Sequence, residues 1–121
     1  MYAFDPYTGE QLWGYEAKKR CSDNTFFCHS GFSAAISSTD EILFAGNLNG
    51  VLYAFSTMTG ELVWEFDTRR EFQGINSIPA VGGTIDATGP VISKRMIYIN
   101  SGYGGYGKLA GNALIAFEII D

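Results

Sequence analysis

A twelve-residue segment occurs twice in the chain, and this internal repeat restricts the possible folds more than any other feature. The first copy, residues 2–13, reads YAFDPYTGEQLW, and the second, residues 53–64, reads YAFSTMTGELVW, so seven of the twelve positions are identical. A third copy starts with the letters LIAFE at residues 114–118. Self-similarity at a fixed spacing of about 20–50 residues indicates an architecture made of repeated structural units.

Each repeat unit predicts four short antiparallel strands, labelled A to D. The apolar segments are short, rich in β-branched and aromatic residues, and bounded by Gly, Asn, Asp or Ser, as strands are. Thr-Gly joins strands C and D, and Asn-Gly joins B and C, because both dipeptides favour tight hairpin turns. In the complete unit the predicted strands are A at 33–37, B at 42–46, C at 51–56 and D at 62–67. Four-stranded antiparallel units in series are typical of propeller blades.

The predicted fold class is all-β, a single partial propeller over residues 1–121. Residues 1–17 would supply strands C and D of a first blade, residues 33–67 a complete blade, and residues 89–121 strands A to C of a third. The strands of the third blade are predicted at 90–93, 96–100 and 113–118. Because a closed propeller needs about four to eight blades, roughly two and a half blades are a fragment. The remaining blades of the same propeller are therefore its first expected partner.

The repeat resembles the tryptophan docking repeat of propellers that bind pyrroloquinoline quinone (PQQ). The shared pattern is YAF, three residues, TG, three residues and W, and it occurs in both full copies. In that family the tryptophan packs flat between neighbouring blades. The resemblance therefore implies that Trp13 and Trp64 are docking residues, buried at equivalent positions of two blades.

A narrower resemblance covers most of the chain. The segments that carry it are residues 44–55, 63–72, 82–91, 98–104 and 111–117, in that order. They are similar to the C-terminal part of polyvinyl alcohol dehydrogenases. The resemblance implies a fragment of an eight-bladed propeller from a periplasmic or extracellular quinoprotein. Such a protein oxidises secondary alcohols of a polymer with PQQ, with Ca²⁺ as a candidate companion ion, and passes electrons to cytochrome c. The alternative is a non-catalytic propeller of the same repeat that serves as a protein-interaction scaffold or sensor domain.

The long connections of the predicted propeller all fall on one of its two faces. In an up-and-down blade the B–C turns and the D–A connections share a face. The long stretches are two D–A connections, 18–32 and 68–89, and the B–C loop 101–112. Long ordered loops on a rigid scaffold commonly carry binding residues. We therefore expect a functional site on this face.

Five polar residues on or beside these loops are candidates for the site: Asp86, Arg69, Arg70, Asn76 and Asn100. Asp86 precedes an innermost strand, where a carboxylate could take the proton of an alcohol, help to hold a cation, or cap a turn. The two arginines could bind the carboxylates of a quinone cofactor or form a solvated pair after a strand. The two asparagines could approach Ca²⁺ or a quinone oxygen, or form turns.

Cys21 and Cys28 lie in the same loop and predict an intraloop disulfide, which suits an oxidising compartment. A zinc site would need more ligands than these cysteines and His29 supply. Covalent haem attachment is excluded because Thr25 stands where the first Cys of Cys-x-x-Cys-His is required. We expect no metal site in this segment and no cofactor bound by the segment alone.

The glycine-rich segment YGGYGK at residues 103–108 predicts an aromatic loop that could contact a polymer or stack on a ring. The net charge of −5 and the lack of a basic patch argue against nucleic-acid binding. No apolar run approaches the roughly 18 residues that a membrane span requires. The segment begins without the charged and apolar regions of a signal peptide.

Overall fold

The computed structural model describes residues 1–22, 26–86 and 88–120, so Thr25 lies outside the described residues. The described residues form eleven strands in four antiparallel sheets and no helix, which confirms the predicted all-β class. The strands are β1 (Tyr2–Phe4), β2 (Gln11–Gly14), β3 (Ser37–Ser38), β4 (Ile42–Gly46), β5 (Val51–Ser56), β6 (Leu62–Asp67), β7 (Glu71–Gln73), β8 (Pro79–Val81), β9 (Val91–Ser93), β10 (Met96–Ser101) and β11 (Ala113–Glu118).

The complete blade is the sheet β3-β4-β5-β6, in which each strand pairs with the next one in the sequence. Its strands B, C and D coincide with the predicted ranges. The central strand β5 is paired on both sides, because Leu52 lies opposite Gly46 of β4 and Phe66 of β6. The two hairpin turns place Gly50 at φ +83° and Gly60 at φ +71°, where a side chain would be strained.

Strand A of this blade is shorter than predicted. Instead of residues 33–37, it comprises only Ser37–Ser38. The preceding residues pack against the next blade, since a Cβ atom on Gly89 would lie 2.1 Å from the carbonyl oxygen of Ala35. The backbone at Ala35 therefore follows the neighbouring blade and does not pair with β4.

The sheets on either side of this blade contain fewer strands. β1 and β2 pair with each other, and β9, β10 and β11 form a sheet in the order β11-β10-β9. β9 begins at Val91, one residue later than predicted, and β10 continues through Ser101. The connection 68–89 is not a plain loop, because β7 and β8 form an unpredicted hairpin within it. The hairpin closes where the Gly74 amide donates to the carbonyl oxygen of Ile78 at 3.1 Å.

The core lies on both sides of β5, whose side chains alternate between two hydrophobic clusters. The cluster beside the third blade contains Phe44, Leu52, Ala54, Ile85, Ile97 and Ile99. The cluster beside the first blade contains Leu43, Ala45, Val51, Tyr53 and Phe55, with Trp13, Tyr15 and Phe32 packed against it. Each β5 residue in these clusters is at most 2% exposed. The central strand of the complete blade is thus buried on both surfaces by the neighbouring blades, as strands in stacked sheets are.

Trp13 packs on the Thr-Gly turn of the next blade. Its indole nitrogen donates to the carbonyl oxygen of Thr57 at 3.0 Å. A Cβ atom on Gly60 would lie 2.5 Å from the Trp13 ring, so the indole rests directly on the glycine backbone. The absence of a side chain at Gly60 is what allows this contact.

Trp64 does not repeat this arrangement, and the expectation that both tryptophans are buried is wrong for Trp64. Its side chain is 39% exposed. The ring contacts Phe117 of the third blade edge-on, with 5.4 Å between the ring centroids, and stacks beside Phe66. In the third repeat the position equivalent to Gly60 would follow Asp121, and Asp121 itself lies outside the described residues.

Candidate functional site

The long connections converge on one face of the propeller segment. We call this surface, formed by the described residues 18–22, 26–32, 47–50, 68–86, 88–89 and 101–112, the loop face. Hydrogen bonds join its parts in sequence: the Leu48 amide donates to Gly31 O, Thr84 Oγ1 donates to Leu48 O, and the Leu109 amide donates to Thr84 Oγ1, each at 2.9 Å. The loops thus form a continuous surface above the blades.

A buried polar network lies beneath the loop face. Thr68 Oγ1 donates to Gly50 O at 2.6 Å and lies 2.7 Å from Ser101 Oγ. Ser101 Oγ also accepts the Gly83 amide at 2.8 Å. Both hydroxyl-bearing residues are 0% exposed. The network therefore fixes the B–C turn, the end of β6, the connection 68–89 and β10 relative to one another.

Sequence reasoning missed this network because its members are far apart in the chain and are common surface residue types. One local signal was the pair Gly82-Gly83. A Cβ atom on Gly82 would lie 1.9 Å from the Thr68 carbonyl oxygen, so the backbones touch there. Paired glycines just before a strand can mark such a close approach.

Replacing Ser101 with alanine is expected to lower the free energy of unfolding by about 1–3 kcal/mol, because the Gly83 amide loses its partner in a buried site. Urea unfolding measures this change. Ser93→Ala is the matched control, since Ser93 is exposed at the end of β9, and its effect should stay within about 0.5 kcal/mol. Equal effects of the two substitutions would show that the network adds no stability.

Asp86 forms an ion pair with Lys108, which joins the connection 68–89 to the glycine-rich loop. The Asp86 side chain is 11% exposed and the Lys108 side chain 28% exposed. The carboxylate therefore lies at the edge of the solvent, with its charge balanced by the lysine. Sequence reasoning singled out Asp86 but did not identify Lys108 as its partner.

Arg69 is engaged by a neighbouring carboxylate. Its Nε and Nη2 atoms donate to the two oxygens of Asp67 at 3.0 and 2.7 Å, and its Nη1 lies 3.8 Å from Cys28 Sγ. The side-chain hydrogen bond from Arg69 is the main cause that lowers the pKa of Asp67, and the same bond raises the pKa of Arg69. The planar fork that would bind a cofactor carboxylate is thus already occupied.

The other candidates have separate contacts. Arg70 Nε donates to Asp67 O at 2.9 Å, and its guanidinium carbon lies 4.5 Å from the centre of the Phe66 ring. Asn76 Oδ1 accepts the Ile78 amide at 3.1 Å in the β7–β8 hairpin, the turn role that its sequence also allowed. Asn100 is exposed on β10, opposite Leu114. Arg69 is thus paired within the chain, whereas Arg70 is exposed and contacts a backbone carbonyl and the Phe66 ring.

Cys21 and Cys28 form the predicted disulfide, with Cα atoms 5.6 Å apart. This separation is ordinary for a disulfide. The bond closes a small loop on the loop face, next to Arg69.

Two structural features are absent from the part of the chain that the structure describes. Residues 1–22, 26–86 and 88–120 contain no group of three or more His, Cys, Asp or Glu side chains that could hold a metal ion. Within the same ranges no helix is long and apolar enough to cross a membrane.

Stacked antiparallel blades, with a tryptophan resting on the Thr-Gly turn of the neighbouring blade, define a segment of a β-propeller of the PQQ-repeat class. The chain belongs to the family described as outer membrane protein assembly factor BamB, whose model matches residues 1–121. BamB from Moraxella catarrhalis has a similar structure, with a TM-score of 0.59 and 23% identity over 98% of this chain and 34% of that one. At this identity the likeness concerns the fold alone.

The chain is also similar to curated enzymes. It is 34% identical to a polyvinylalcohol dehydrogenase of Sphingopyxis sp. and 36% identical to one of Pseudomonas sp., each over 98% of this chain. It is 23% identical to the quinoprotein alcohol dehydrogenase PedH of Pseudomonas putida over 84% of the chain. The chain spans about a fifth of the length of these relatives, 20%, 20% and 18% respectively.

Proposed function

We propose that the chain is a segment of a PQQ-dependent alcohol dehydrogenase similar to polyvinylalcohol dehydrogenase. The observation that carries this proposal is the 34–36% identity to two such enzymes over 98% of the chain. The whole protein would oxidise secondary alcohols, including those of a polymer, and pass electrons to cytochrome c. Its place would be the periplasm or the cell exterior, where the Cys21–Cys28 disulfide is stable.

PQQ and Ca²⁺ belong to this proposal as cofactors of the whole protein. Within this segment, Arg69 and Arg70 are the arginines that would approach a carboxylate of PQQ, Arg69 by exchanging its pairing with Asp67. The segment would contribute one wall of the site, through these arginines, Asp86 and the glycine-rich loop.

Asp86 is the residue that we propose to accept the proton of the alcohol. Alcohol oxidation needs a base positioned within hydrogen-bond reach of the hydroxyl group. The Asp86 carboxylate lies on the loop face with 11% of its side chain exposed, so a substrate can approach it while bulk water is largely excluded. An ion pair with Lys108 holds this carboxylate in position.

The test is the Asp86→Asn substitution in the full-length protein, supplied with PQQ, Ca²⁺, a secondary alcohol and a dye acceptor. We expect kcat/KM to fall about 10²- to 10⁴-fold, the usual contribution of a positioned base. Asp40→Asn is the control, because Asp40 is exposed in the turn between β3 and β4, away from the loop face. Full activity of Asp86→Asn would rule out this role, and no alcohol-dependent turnover by the unsubstituted protein would rule out the enzyme.

A non-catalytic scaffold is the second candidate function. Two observations favour it. The matched family is described as an outer membrane assembly factor, and the charged candidates Arg69 and Asp86 already form ion pairs with other side chains of this chain. A scaffold would show no alcohol-dependent dye reduction, and Asp86→Asn would alter only its stability. The same assay therefore separates the two functions.

A further inference from the structure

Three aromatic side chains form an exposed row on the loop face. Phe26 and Tyr106 are 84% and 99% exposed, and Phe27 between them is 41% exposed. The ring centroids are 5.6 Å apart from Phe26 to Phe27 and 5.8 Å apart from Phe27 to Tyr106. We call these three residues the aromatic row. They come from two different loops, so neither loop alone accounts for their proximity.

The aromatic row is held in place at several points. The Cys21–Cys28 disulfide closes the loop that carries the two phenylalanines. Phe27 has a φ of +62°, a conformation that costs an L-residue about 1 kcal/mol or more and is found at sites where the fold imposes it. On the other loop, the ion pair of Lys108 with Asp86 and the hydrogen bond of Leu109 with Thr84 follow directly after Tyr106.

The exposure of these rings is unfavourable for the isolated segment. A large aromatic side chain that stays in water does not gain the free energy of burial. The backbone strain at Phe27 further destabilises this loop. Exposed hydrophobic side chains that form a contiguous patch indicate an interaction site, whereas singly scattered ones do not. The glycine-rich aromatic loop, which the sequence singled out, is thus one half of a two-loop surface.

We propose that the aromatic row binds an extended stretch of an uncharged polymeric alcohol and leads it toward Asp86. This inference rests on the proposed function. Ring faces suit the carbon backbone of such a chain, and the Tyr106 hydroxyl can exchange hydrogen bonds with its hydroxyl groups. Three rings with consecutive centroid separations of 5.6 and 5.8 Å offer more contact surface than a single small alcohol can use.

A protein partner fits this surface less well. A stable protein interface buries about 800 Å² on each side, whereas three aromatic side chains expose a few hundred at most. The substrate in the names of the two relatives that match 98% of the chain is also a polymer of this kind. The size of the row and these relatives point to the same occupant.

The experiment uses the full-length protein with Phe26→Ala and Tyr106→Ala, each compared with Tyr7→Ala. Tyr7 is 95% exposed in the turn between β1 and β2, on the opposite side from the loop face, so it controls for the loss of any exposed ring. Binding is measured without turnover, as retardation in native gels that contain polyvinyl alcohol. Turnover is measured with polyvinyl alcohol and with pentane-2,4-diol, a short diol of the same chemistry.

We expect each substitution in the row to weaken binding to the gel-bound polymer about fivefold, the effect of one aromatic contact. The ratio of KM for the polymer to KM for the diol should rise by a similar factor, while Tyr7→Ala changes neither. Unchanged retardation in Phe26→Ala and Tyr106→Ala, or an equal loss in Tyr7→Ala, would overturn the proposal. So would a defect confined to reduction of cytochrome c, which would assign the row to a protein partner.

The same experiment separates this inference from the proposed function. Retardation that depends on the row, without oxidation of either alcohol, supports the polymer site and rejects the dehydrogenase. Oxidation of both alcohols with no effect of the row supports the dehydrogenase and rejects the polymer site.

Discussion

Gly60→Ala is expected to destabilise the protein by about 3–6 kcal/mol, well beyond the effect of Gly9→Ala. Both glycines close a Thr-Gly turn with the same backbone hydrogen bond to a residue four positions earlier, at 2.8 Å for Gly9 and 2.9 Å for Gly60. Both have positive φ, +74° and +71°, so alanine adds a similar backbone strain of about 1–2 kcal/mol at either position.

The two positions differ in burial and in what a methyl group would meet, because Gly60 is buried and Gly9 is exposed. At Gly60 the new Cβ atom would lie 2.5 Å from the ring of Trp13, whereas at Gly9 nothing lies within 4 Å. The Trp13 ring must then move and weaken its 3.0 Å hydrogen bond to Thr57 O. Overpacking costs about 1–3 kcal/mol and a lost hydrogen bond about 1 kcal/mol.

Urea unfolding of both variants, followed by tryptophan fluorescence, measures the difference. A second measurement places Gly60→Ala in a Trp13→Ala background, where the extra cost should largely disappear because the ring is gone. If Gly60→Ala costs no more than Gly9→Ala, or costs the same in both backgrounds, the contact between the ring and the turn does not stabilise the stacking of blades.

The repeat made much of this fold predictable. The ranges of β4, β5 and β6 follow from local signals, namely alternating apolar residues bounded by Asn-Gly and Thr-Gly turns. Features set by contacts between blades were not predictable. The truncation of β3 depends on the contact of Ala35 with Gly89, which no local pattern records. The 39% exposure of Trp64 likewise depends on what the third blade places against its ring, which is the edge of Phe117.

Some features of the candidate site were likewise predictable from the sequence, and others were not. The disulfide follows from two cysteines in one loop, and its prediction is confirmed. The partner of Arg69 could also have been found, since an acid two residues before an arginine at a strand end is a local signal. The Asp86–Lys108 pair and the Thr68–Ser101 contact join residues 22 and 33 positions apart, and only the packing of blades brings them together.

The isolated 121-residue chain is expected to show no dehydrogenase turnover, in contrast to the activity that we propose for the full-length protein. Two and a half blades supply about a third of an eight-bladed ring, since propellers close with four to eight blades. An axial cofactor would then be open to water on most sides, and stabilisation of developing charge requires a preorganised site that excludes water. The guanidinium of Arg69 is also paired with Asp67 in this segment.

Both proteins are assayed side by side with PQQ, Ca²⁺, a secondary alcohol and a dye acceptor, and PQQ binding to the isolated chain is measured by fluorescence titration. We expect dye reduction by the isolated chain to equal the protein-free control and its PQQ binding to be undetectable. The loss relative to the full-length protein should exceed the effect of any single substitution, because reacting groups must be held within a fraction of an ångström. Turnover by the isolated chain would instead place the whole reaction on the loop face. Asp86 would then be the base for a site built from these loops alone.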